Sequence, residues 1–278
     1  MKILVTGAKG QLGFDIIKEL SKRNIQNKGV DVTDFDITDQ TAVTSAIESY
    51  APTAVIHCAA YTAVDKAEDE PELCCEINEE GTRNIANACK KINAKLIYIS
   101  TDYVFPGHGT HFHKPHDPTA PTSTYGKTKL AGEESVIQLL EQFFIVRISW
   151  VFGENGNNFV KTMLKLGKER ESLNVVDDQI GSPTYTADLA PLLCNMAASE
   201  KYGIYHATNE GICSWADFAR EIFRQAGMNV KVNPVPSSEY PTKAIRPLNS
   251  RLDKCCLTDA GFNPLPTWND ALTRFIRR

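Results

Sequence analysis

The sequence has 278 residues, of which 42% are hydrophobic and 23% charged, so it is long enough to bury a large core and has the composition of a globular protein. Its formal net charge of −4 gives no basic surface for nucleic acid or anionic membranes, and no apolar run approaches the roughly 20 residues that span a bilayer. The N-terminus has no apolar signal core, and the eight cysteines show no Cys-x-x-Cys spacing, so we expect reduced thiols in a cytoplasmic protein.

A glycine-rich turn follows the first predicted strand. Residues 2–5 form a short apolar strand and residues 14–20 have the apolar spacing of a helix, with Gly7, Gly10 and Gly13 between them. Gly7 permits a tight turn, Gly10 lets the main chain approach a pyrophosphate, and Gly13 lets the helix pack against the strand. The unpaired N–H groups at the start of that helix favour an anion. The pattern predicts a dinucleotide site, with a purely structural turn as the alternative.

Three residues bear on which dinucleotide binds. Asp31 lies near the end of the second predicted strand, where an acid binds the adenosine ribose hydroxyl of NAD. Lys9, inside the glycine turn, is placed to pair with the 2′-phosphate of NADP. We therefore expect NADPH to be favoured and NADH also to be used. Asp36 follows a little further on and would flank the adenine, although a surface turn explains either acid as well.

Strands and helices alternate along the first half of the chain. Buried strands are predicted at residues 54–60, 95–100 and 143–151, and a long helix at 71–92. This alternation predicts an α/β fold with a Rossmann-like, doubly wound parallel sheet, whose ligands lie beyond the carboxyl ends of the strands.

Beyond residue 150 the pattern changes. Helices are predicted near 159–170, 187–198 and 214–226, a proline-rich loop over 233–251, and a capped helix after Thr267. We predict a dinucleotide-binding Rossmann domain at 1–150. A smaller C-terminal domain at 151–278 is then predicted to be mainly substrate-binding. The alternative is that some of its segments belong to the Rossmann sheet.

Tyr125 and Lys129 stand four residues apart in a predicted helix that Ser123 or Thr124 caps. This spacing puts both side chains on one face, about 5–6 Å apart at Cβ. A free tyrosine is a weak acid at neutral pH, and a neighbouring ammonium is expected to lower its pKa by stabilising the phenolate. With a dinucleotide nearby, the pair predicts hydride transfer to a carbonyl, protonated by Tyr125 and hydrogen-bonded by Thr101 at a strand end. An exposed amphipathic helix is the alternative.

A loop rich in proline, glycine and histidine occupies residues 105–121, and its length argues for a function. It contains His108, His111, His113 and His116. A metal site is one interpretation. We favour a polar active-site loop, because no helix there carries an acid and a histidine at ligand spacing.

These motifs resemble those of the extended short-chain dehydrogenase/reductases. The resemblance rests on the glycine turn, on Ser100-Thr101 at a strand end and on Tyr125-x-x-x-Lys129. Within that family the chain is similar to the dTDP-4-dehydrorhamnose reductases in six stretches that span most of its length: AAYTAVDKAE at 59–68, STDYVFPG at 100–107, YGKTKLAGE at 125–133, RISWVFG at 147–153, GNNFVKTM at 156–163 and RPLNSRLD at 246–253.

The resemblance implies NAD(P)H-dependent reduction of the 4-keto group of dTDP-4-dehydro-6-deoxy-L-mannose (dTDP-4-dehydrorhamnose) to give dTDP-L-rhamnose, with the hydride from nicotinamide and the proton from Tyr125. Besides Gly7, Lys9, Gly13, Tyr125 and Lys129, it implies cofactor contacts at Gly10, Gln11, Leu12, Asp31, Asp36, Ile37, Ala60, Tyr61 and Thr62. It implies substrate contacts at Thr101, Asp102 and Trp150, with Arg246 and Asn249 near the nucleotide diphosphate. For Trp150, which follows a strand end, capping of the core is the alternative.

Some members of this family are associated with magnesium and with a metal-bridged dimer built from glutamates. This chain has Asp15 after the glycine turn and no glutamate at 185–188. We therefore expect no Mg²⁺ dependence and a monomer or weak homodimer.

Two other functions fit the same fold. The regulatory subunit of methionine adenosyltransferase resembles this family and binds NADP without a clear reductase role. The presence of Thr101, Tyr125 and Lys129 together favours an enzyme, because a binding module has no need of the acid. An epimerase or dehydratase is less favoured, because no Glu or Cys pair stands beside the Thr101 strand end.

Overall fold

The structure is a computed structural model that describes residues 1–277. Its strands are β1 (Lys2–Thr6), β2 (Gln26–Val30), β3 (Ala54–His57), β4 (Lys95–Thr101), β5 (Phe143–Ile148), β6 (Val151–Phe152), β7 (Ser172–Val176), β8 (Ile180–Gly181), β9 (Thr184–Tyr185), β10 (Gly203–His206), β11 (Cys213–Ser214), β12 (Lys231–Val235) and β13 (Asn249–Ser250). Its α-helices are α1 (Gln11–Lys22), α2 (Gln40–Tyr50), α3 (Val64–Ala67), α4 (Pro71–Cys75), α5 (Gly81–Lys91), α6 (Thr124–Leu139), α7 (Phe159–Leu166), α8 (Thr186–Ala197), α9 (Trp215–Gln225), α10 (Cys255–Asp259) and α11 (Trp268–Ile276).

The central sheet has six parallel strands in the order β10-β5-β4-β3-β1-β2. Side chains alternate between its faces, as the pleat requires. Ile3 and Val5 of β1 pack on the face that α1 and α8 cover, whereas Leu4 packs on the face that α2, α5 and α6 cover. Helices on both faces of a parallel sheet confirm the predicted doubly wound, Rossmann-like fold.

The helix predicted at 71–92 is interrupted in its middle. A π-helical turn at Glu76–Glu80 separates α4 from α5. Pro71 occupies the first turn of α4, where its missing N–H leaves no intrahelical hydrogen bond unmade. The π turn directs Asn78 inward, and that side chain is 1% exposed.

Segments after residue 150 contribute to both halves of the molecule. β10 pairs with β5 at the edge of the central sheet, and α8 packs against α1. The remaining elements surround a separate apolar core formed chiefly by α7, α9, β7 and α11. The predicted 143–151 strand ends at Ile148, because the chain turns at Trp150 and continues as β6 beside β9. The predicted 233–251 loop contains the end of β12 and the whole of β13.

Within residues 1–277, no helix combines the length and the apolar character needed to cross a bilayer.

Candidate active site

A cavity of about 760 Å³ lies at the carboxyl ends of the central strands. Its wall includes the glycine turn after β1, Asp31 after β2, the segment after β3, Thr101 at the end of β4, and Trp150 after β5. Ligands of open α/β sheets bind at this edge, and the volume is within the range of small-molecule sites.

The glycine turn is shaped by backbone contacts that leave no room for side chains. Gly7 has φ +64°, and a Cβ there would come within 2.7 Å of the main-chain nitrogen of Ala59. A Cβ on Gly13 would lie 2.2 Å from the carbonyl oxygen of Gly7. Gly10 is the N-cap of α1 and provides no side-chain cap, so the first N–H groups of the helix face the cavity unpaired. The turn therefore fits a pyrophosphate at its centre.

Asp31 and Lys9 lie side by side at one end of the cavity. The Asp31 carboxylate accepts hydrogen bonds from the main-chain N–H of Lys9 (3.0 Å) and of Val32 (2.9 Å). The Lys9 ammonium donates to the hydroxyl of Thr33 at 2.8 Å. A carboxylate beside an ammonium and a hydroxyl fits a ribose that carries a 2′-phosphate. Asp36 and Ile37 line the same end of the cavity, and Gln11 and Leu12 line the cavity beside the glycine turn.

A loop from the C-terminal part of the chain covers the glycine turn. Asn155 donates to the carbonyl oxygen of Lys9 at 2.5 Å, and Asn158 donates to the side-chain oxygen of Gln11 at 3.0 Å. Sequence reasoning missed both asparagines. The asparagine-rich run after Trp150 was the available signal, but nothing local indicates what it contacts.

The segment after β3 is only partly in the cavity. Ala60 and Thr62 line it, whereas Tyr61 does not. The Tyr61 hydroxyl donates to Glu70 at 2.6 Å, and its main-chain N–H donates to Asn78 at 2.8 Å. The Glu70 carboxylate therefore holds the phenol outside the cavity wall, and a cofactor contact of Tyr61 stays a prediction. Asn78, which sequence reasoning missed, fixes this segment from the π turn.

Tyr125 stands at the first turn of α6, and Ser123 caps that helix as predicted by accepting from the N–H of Gly126. The Tyr125 ring packs edge-on against Tyr103, with centroids 5.5 Å apart. Thr101 donates to Asp102 at 3.0 Å and accepts from the N–H of Tyr103 at 3.2 Å. β4 and α6 therefore bring Thr101 and Tyr125 together in the cavity.

The protonation equilibria of this group differ from the prediction. Burial raises the pKa of Tyr125 above its ordinary value, a hydrogen bond with Thr101 lowers it, and the charge of Asp102 raises it again. Burial also lowers the pKa of Lys129 to about 7, while the carboxylate of Glu133 raises it. The Lys129 ammonium lies over the ring of Tyr98, 4.0 Å from its centroid. The pKa of Tyr125 is therefore raised overall, whereas the spacing with Lys129 predicted that it would be lowered, because desolvation is the largest effect at both residues.

A buried ion pair lies behind Lys129. Arg147 on β5 donates to both oxygens of Glu133, at 2.6 and 2.9 Å, and both side chains are at most 3% exposed. Ser100 donates to the same carboxylate at 2.5 Å. Arg147 also donates to the carbonyl oxygen of Pro115 at 2.9 Å. Sequence reasoning missed this pair, since its members are 14 residues apart on different elements.

Asp102 is 2% exposed, lines the cavity, and accepts a hydrogen bond from Ser250 of β13. Burial raises the pKa of Asp102 to about 6, while the bonds from Ser250 and Thr101 lower it. This carboxyl therefore changes charge close to neutral pH, and Ser250 ties it to the C-terminal part of the chain.

Trp150 belongs both to the cavity and to the C-terminal core. It lines the cavity, has φ +49°, and stacks on Trp215 with centroids 3.8 Å apart and planes at 14°. The Trp215 indole N–H donates to Gln179 at 3.1 Å. Trp150 thus lines the cavity and also packs on the C-terminal core, so both interpretations made from the sequence stay open.

Arg246 and Asn249 lie outside the cavity wall. Arg246 donates to Asp65 at 2.5 Å and to the hydroxyl of Tyr103, a residue of the cavity wall, at 3.3 Å. Asn249 is fully buried, and its amide donates to the carbonyl oxygens of His111 (2.9 Å) and His108 (3.3 Å). The Asn249 side chain therefore holds the histidine loop in place, and its contact with the substrate stays a prediction.

The histidine loop lies outside the wall of this cavity. Among the described residues, the wall takes none from 105–121. His113 is buried against Phe105, and its main chain bonds to that of Arg251 and Asp253. The loop therefore packs against the segment around β13, and its role as a polar active-site loop stays a prediction.

Asp15 and Asp188, which lie in the two segments where a metal-bridged dimer would need glutamates, both bond within the chain. Asp15 is 4% exposed and accepts from the hydroxyl of Thr186 at 2.5 Å. Asp188 accepts two hydrogen bonds from Arg274, each of 2.7 Å.

On a doubly wound sheet, hydride transfer to a carbonyl requires a site for the dinucleotide phosphates and a proton donor beside the carbonyl. The cavity has a turn that fits phosphate at one end, and a tyrosine with a hydrogen-bonded threonine at the other. On this ground the chain is a dinucleotide-dependent reductase of the short-chain dehydrogenase/reductase class.

Comparison with known proteins narrows the class. The sequence matches the family described as RmlD substrate binding domain over residues 1–278. It is 43% identical to a dTDP-4-dehydrorhamnose reductase of Streptomyces griseus over 277 residues, covering 97% of this chain and 91% of the relative. It is 40% identical to the spore coat polysaccharide biosynthesis protein SpsK of Bacillus subtilis (strain 168), covering 99% and 97% of the two chains.

A crystal structure of the dTDP-4-dehydrorhamnose reductase of Bacillus anthracis in complex with NADP superposes with a TM-score of 0.97, at 45% identity and with all of both chains covered. The chain therefore belongs to the RmlD family of dTDP-4-dehydrorhamnose reductases.

Proposed function

We propose that this protein reduces the 4-keto group of dTDP-4-dehydrorhamnose with NADPH, giving dTDP-L-rhamnose. The observation that carries the proposal is a single cavity containing both the uncapped glycine turn at Gly10 and the Thr101 and Tyr125 pair. Family membership supports the choice of substrate.

NADPH fits the residues at the turn. The unpaired N–H groups of α1 accommodate the pyrophosphate, and Lys9 with Thr33 accommodates a 2′-phosphate beside Asp31. Asp31 also suits the free ribose hydroxyl of NADH, so NADH is the weaker second cofactor. When bound, the dinucleotide supplies the hydride that adds to the carbonyl carbon.

Tyr125 supplies the proton. Its O–H bond breaks as the new O–H bond forms on the sugar, and solvent later restores the phenol. Thr101 stands beside the phenol and hydrogen-bonds the oxygen on which negative charge develops. A protonated Lys129 favours the phenolate that Tyr125 leaves behind. Because burial lowers the pKa of Lys129 to about 7, this support weakens as the pH rises above neutrality.

The substrate lies against the second half of the cavity. Trp150 offers an apolar face to the sugar, and Asp102 offers a carboxyl group to a sugar hydroxyl. Arg246 reaches the nucleotide diphosphate by exchanging its contact with Asp65 for one with phosphate, as both side chains are partly exposed.

The deciding experiment mixes the purified protein with NADPH and dTDP-4-dehydrorhamnose. NADPH oxidation is followed by absorbance, and the configuration of the product at C4 is read by NMR. Stoichiometric formation of dTDP-L-rhamnose supports the proposal. NADPH binding without turnover would instead assign the chain to a non-catalytic NADP-binding role, like that of the regulatory subunit of methionine adenosyltransferase.

The protein acts in the cytoplasm as a monomer or weak homodimer, and its activity does not require a metal ion. The free state of all eight cysteines supports the compartment, and the internal bonds of Asp15 and Asp188 support independence from a metal-bridged dimer. Sedimentation velocity on metal-free and Mg²⁺-loaded protein tests the oligomeric state and its independence from Mg²⁺. A dimer that forms only with Mg²⁺ would contradict that independence.

A further inference from the structure

The histidine loop, which lies outside the cavity wall, assembles a compact group of ligand atoms. One ligand atom each of His111, His113 and Asp117 lies within 4.8 Å of the other two. The group is on the connection between β4 and α6, outside the cavity described above. It therefore calls for an explanation independent of the reductase reaction.

The ring of His113 is held in a fixed position. Its ring stacks on Phe105 with centroids 4.4 Å apart and planes at 5°, and the side chain is 2% exposed. The side-chain amide nitrogen of Asn249 lies 3.4 Å from Nε2 of the ring and helps to hold it in place.

The other two members are accessible from solvent. His111 is exposed and its ring meets that of His113 edge-on, with centroids 4.6 Å apart. The main-chain N–H of Lys114 donates to one oxygen of Asp117 at 2.8 Å, which orients the carboxylate and leaves its second oxygen for another contact. One buried and two accessible ligands make a site that an ion enters from solvent.

We propose that His111, His113 and Asp117 form a binding site for a divalent transition-metal ion of the Zn²⁺ type. Two imidazoles and one carboxylate are ligands for such ions, whereas Mg²⁺ and Ca²⁺ prefer oxygen alone. Tetrahedral coordination at 2.0–2.2 Å places ligand atoms about 3.3 Å apart. Because the atoms lie within 4.8 Å of one another, closing the group requires a movement of at most about 1.5 Å, which the accessible His111 and Asp117 side chains can supply by rotation. Water takes the fourth position.

Metal binding at this site would fasten the loop to the segment around β13. Asn249 already holds the carbonyl oxygen of His111, and the main chain of His113 bonds to that of Arg251 and Asp253. Ser250, which follows Asn249 in the chain, donates a hydrogen bond to Asp102 in the cavity. The ion therefore serves to stabilise the segment that orients Asp102, with no part in the chemical step.

The test is a titration of the full-length, reduced protein with Co²⁺, whose visible absorption reports its ligands. The parent protein is expected to bind one Co²⁺ ion, with the visible absorption spectrum of cobalt coordinated by nitrogen and oxygen. His111→Ala and Asp117→Asn should each weaken binding at least tenfold. His108→Ala and His116→Ala are matched controls, because both remove an exposed histidine of the same loop outside the group, and both should bind as the parent does.

A second readout is the melting temperature with saturating Zn²⁺ or with Mg²⁺. Zn²⁺ should raise it in the parent and in His108→Ala, but not in His111→Ala, and Mg²⁺ should raise none of the three. The proposal is overturned if the parent binds no Co²⁺ at millimolar concentration, or if His111→Ala binds it as tightly as the parent. A sulfur-to-cobalt charge-transfer band would also overturn it, by assigning binding to the cysteines.

Discussion

Replacing Tyr125 with phenylalanine separates proton donation from packing. The phenylalanine ring keeps the edge-on contact with Tyr103, and Thr101 keeps its bonds to Asp102 and to the N–H of Tyr103. One hydrogen bond, between the phenol and Thr101, is lost with the hydroxyl. Its net stabilisation is about 0.5–1.5 kcal/mol, so the melting temperature should fall by at most a few degrees.

Catalysis should fall much further in this variant. A positioned general acid contributes about 10²- to 10⁴-fold, or about 3–5 kcal/mol of transition-state stabilisation. We expect kcat for Tyr125→Phe to fall by that factor, while the Kd of NADPH stays within about twofold of the parent. Single-turnover NADPH oxidation measures the chemical step, and fluorescence titration measures cofactor affinity.

Tyr103→Phe is the matched control for the acid. Its hydroxyl lies in the same cavity wall but is bonded to Arg246 at 3.3 Å, so its removal should lower kcat less than tenfold. The reasoning is refuted if Tyr125→Phe retains more than a tenth of the parent kcat. It is equally refuted if Tyr103→Phe loses as much activity as Tyr125→Phe.

Three further substitutions test the cofactor end, the substrate wall and the buried acid. Lys9→Ala removes a charged hydrogen bond of about 1.5–3 kcal/mol, so the KM for NADPH should rise about ten- to a hundredfold and that for NADH much less; equal losses would show that Lys9 does not bind the 2′-phosphate. Trp150→Ala deletes the stack on Trp215 and should lower the free energy of unfolding by about 2–3 kcal/mol and the melting temperature by about 5–10 °C, while kcat/KM for the sugar nucleotide falls. An unchanged melting temperature would mean that the stack does not stabilise the fold. Asp102 has its pKa raised from 3.8 to about 6, so its contribution to stability is full below pH 4 and is lost as the pH rises through 6, by about 3 kcal/mol in all. Urea unfolding of the parent and of Asp102→Asn at pH 4 and pH 7 should therefore show the parent losing about that much relative to the variant, and parallel changes would contradict the burial of this charge.

The local patterns of the sequence determined the elements and the two ends of the site. Gly7, Gly10 and Gly13 specify their turn because a Cβ at Gly7 or Gly13 collides with main-chain atoms. Ser123 specifies the start of α6, and with it the positions of Tyr125 and Lys129. Periodicity and capping report hydrogen bonds and burial within a few residues, so these features were predictable from the sequence.

The electrostatic environment of those residues was decided by tertiary structure. The spacing of Tyr125 and Lys129 predicted a lowered tyrosine pKa, yet burial raises it, because desolvation depends on the elements that pack around α6. The Glu133–Arg147 pair beside Lys129 joins α6 to β5 and has no sequence signature.

The contacts that the loops make could also not be predicted from the sequence. Asn249 was assigned to the substrate from its motif, but it bonds to carbonyl oxygens of the histidine loop 138 and 141 residues away. Asp102 is tied to Ser250 across 148 residues. Local sequence fixes which groups a segment offers for bonding. Which partner accepts each group depends on contacts between distant segments, and these exist only once the sheet and the C-terminal core have packed together.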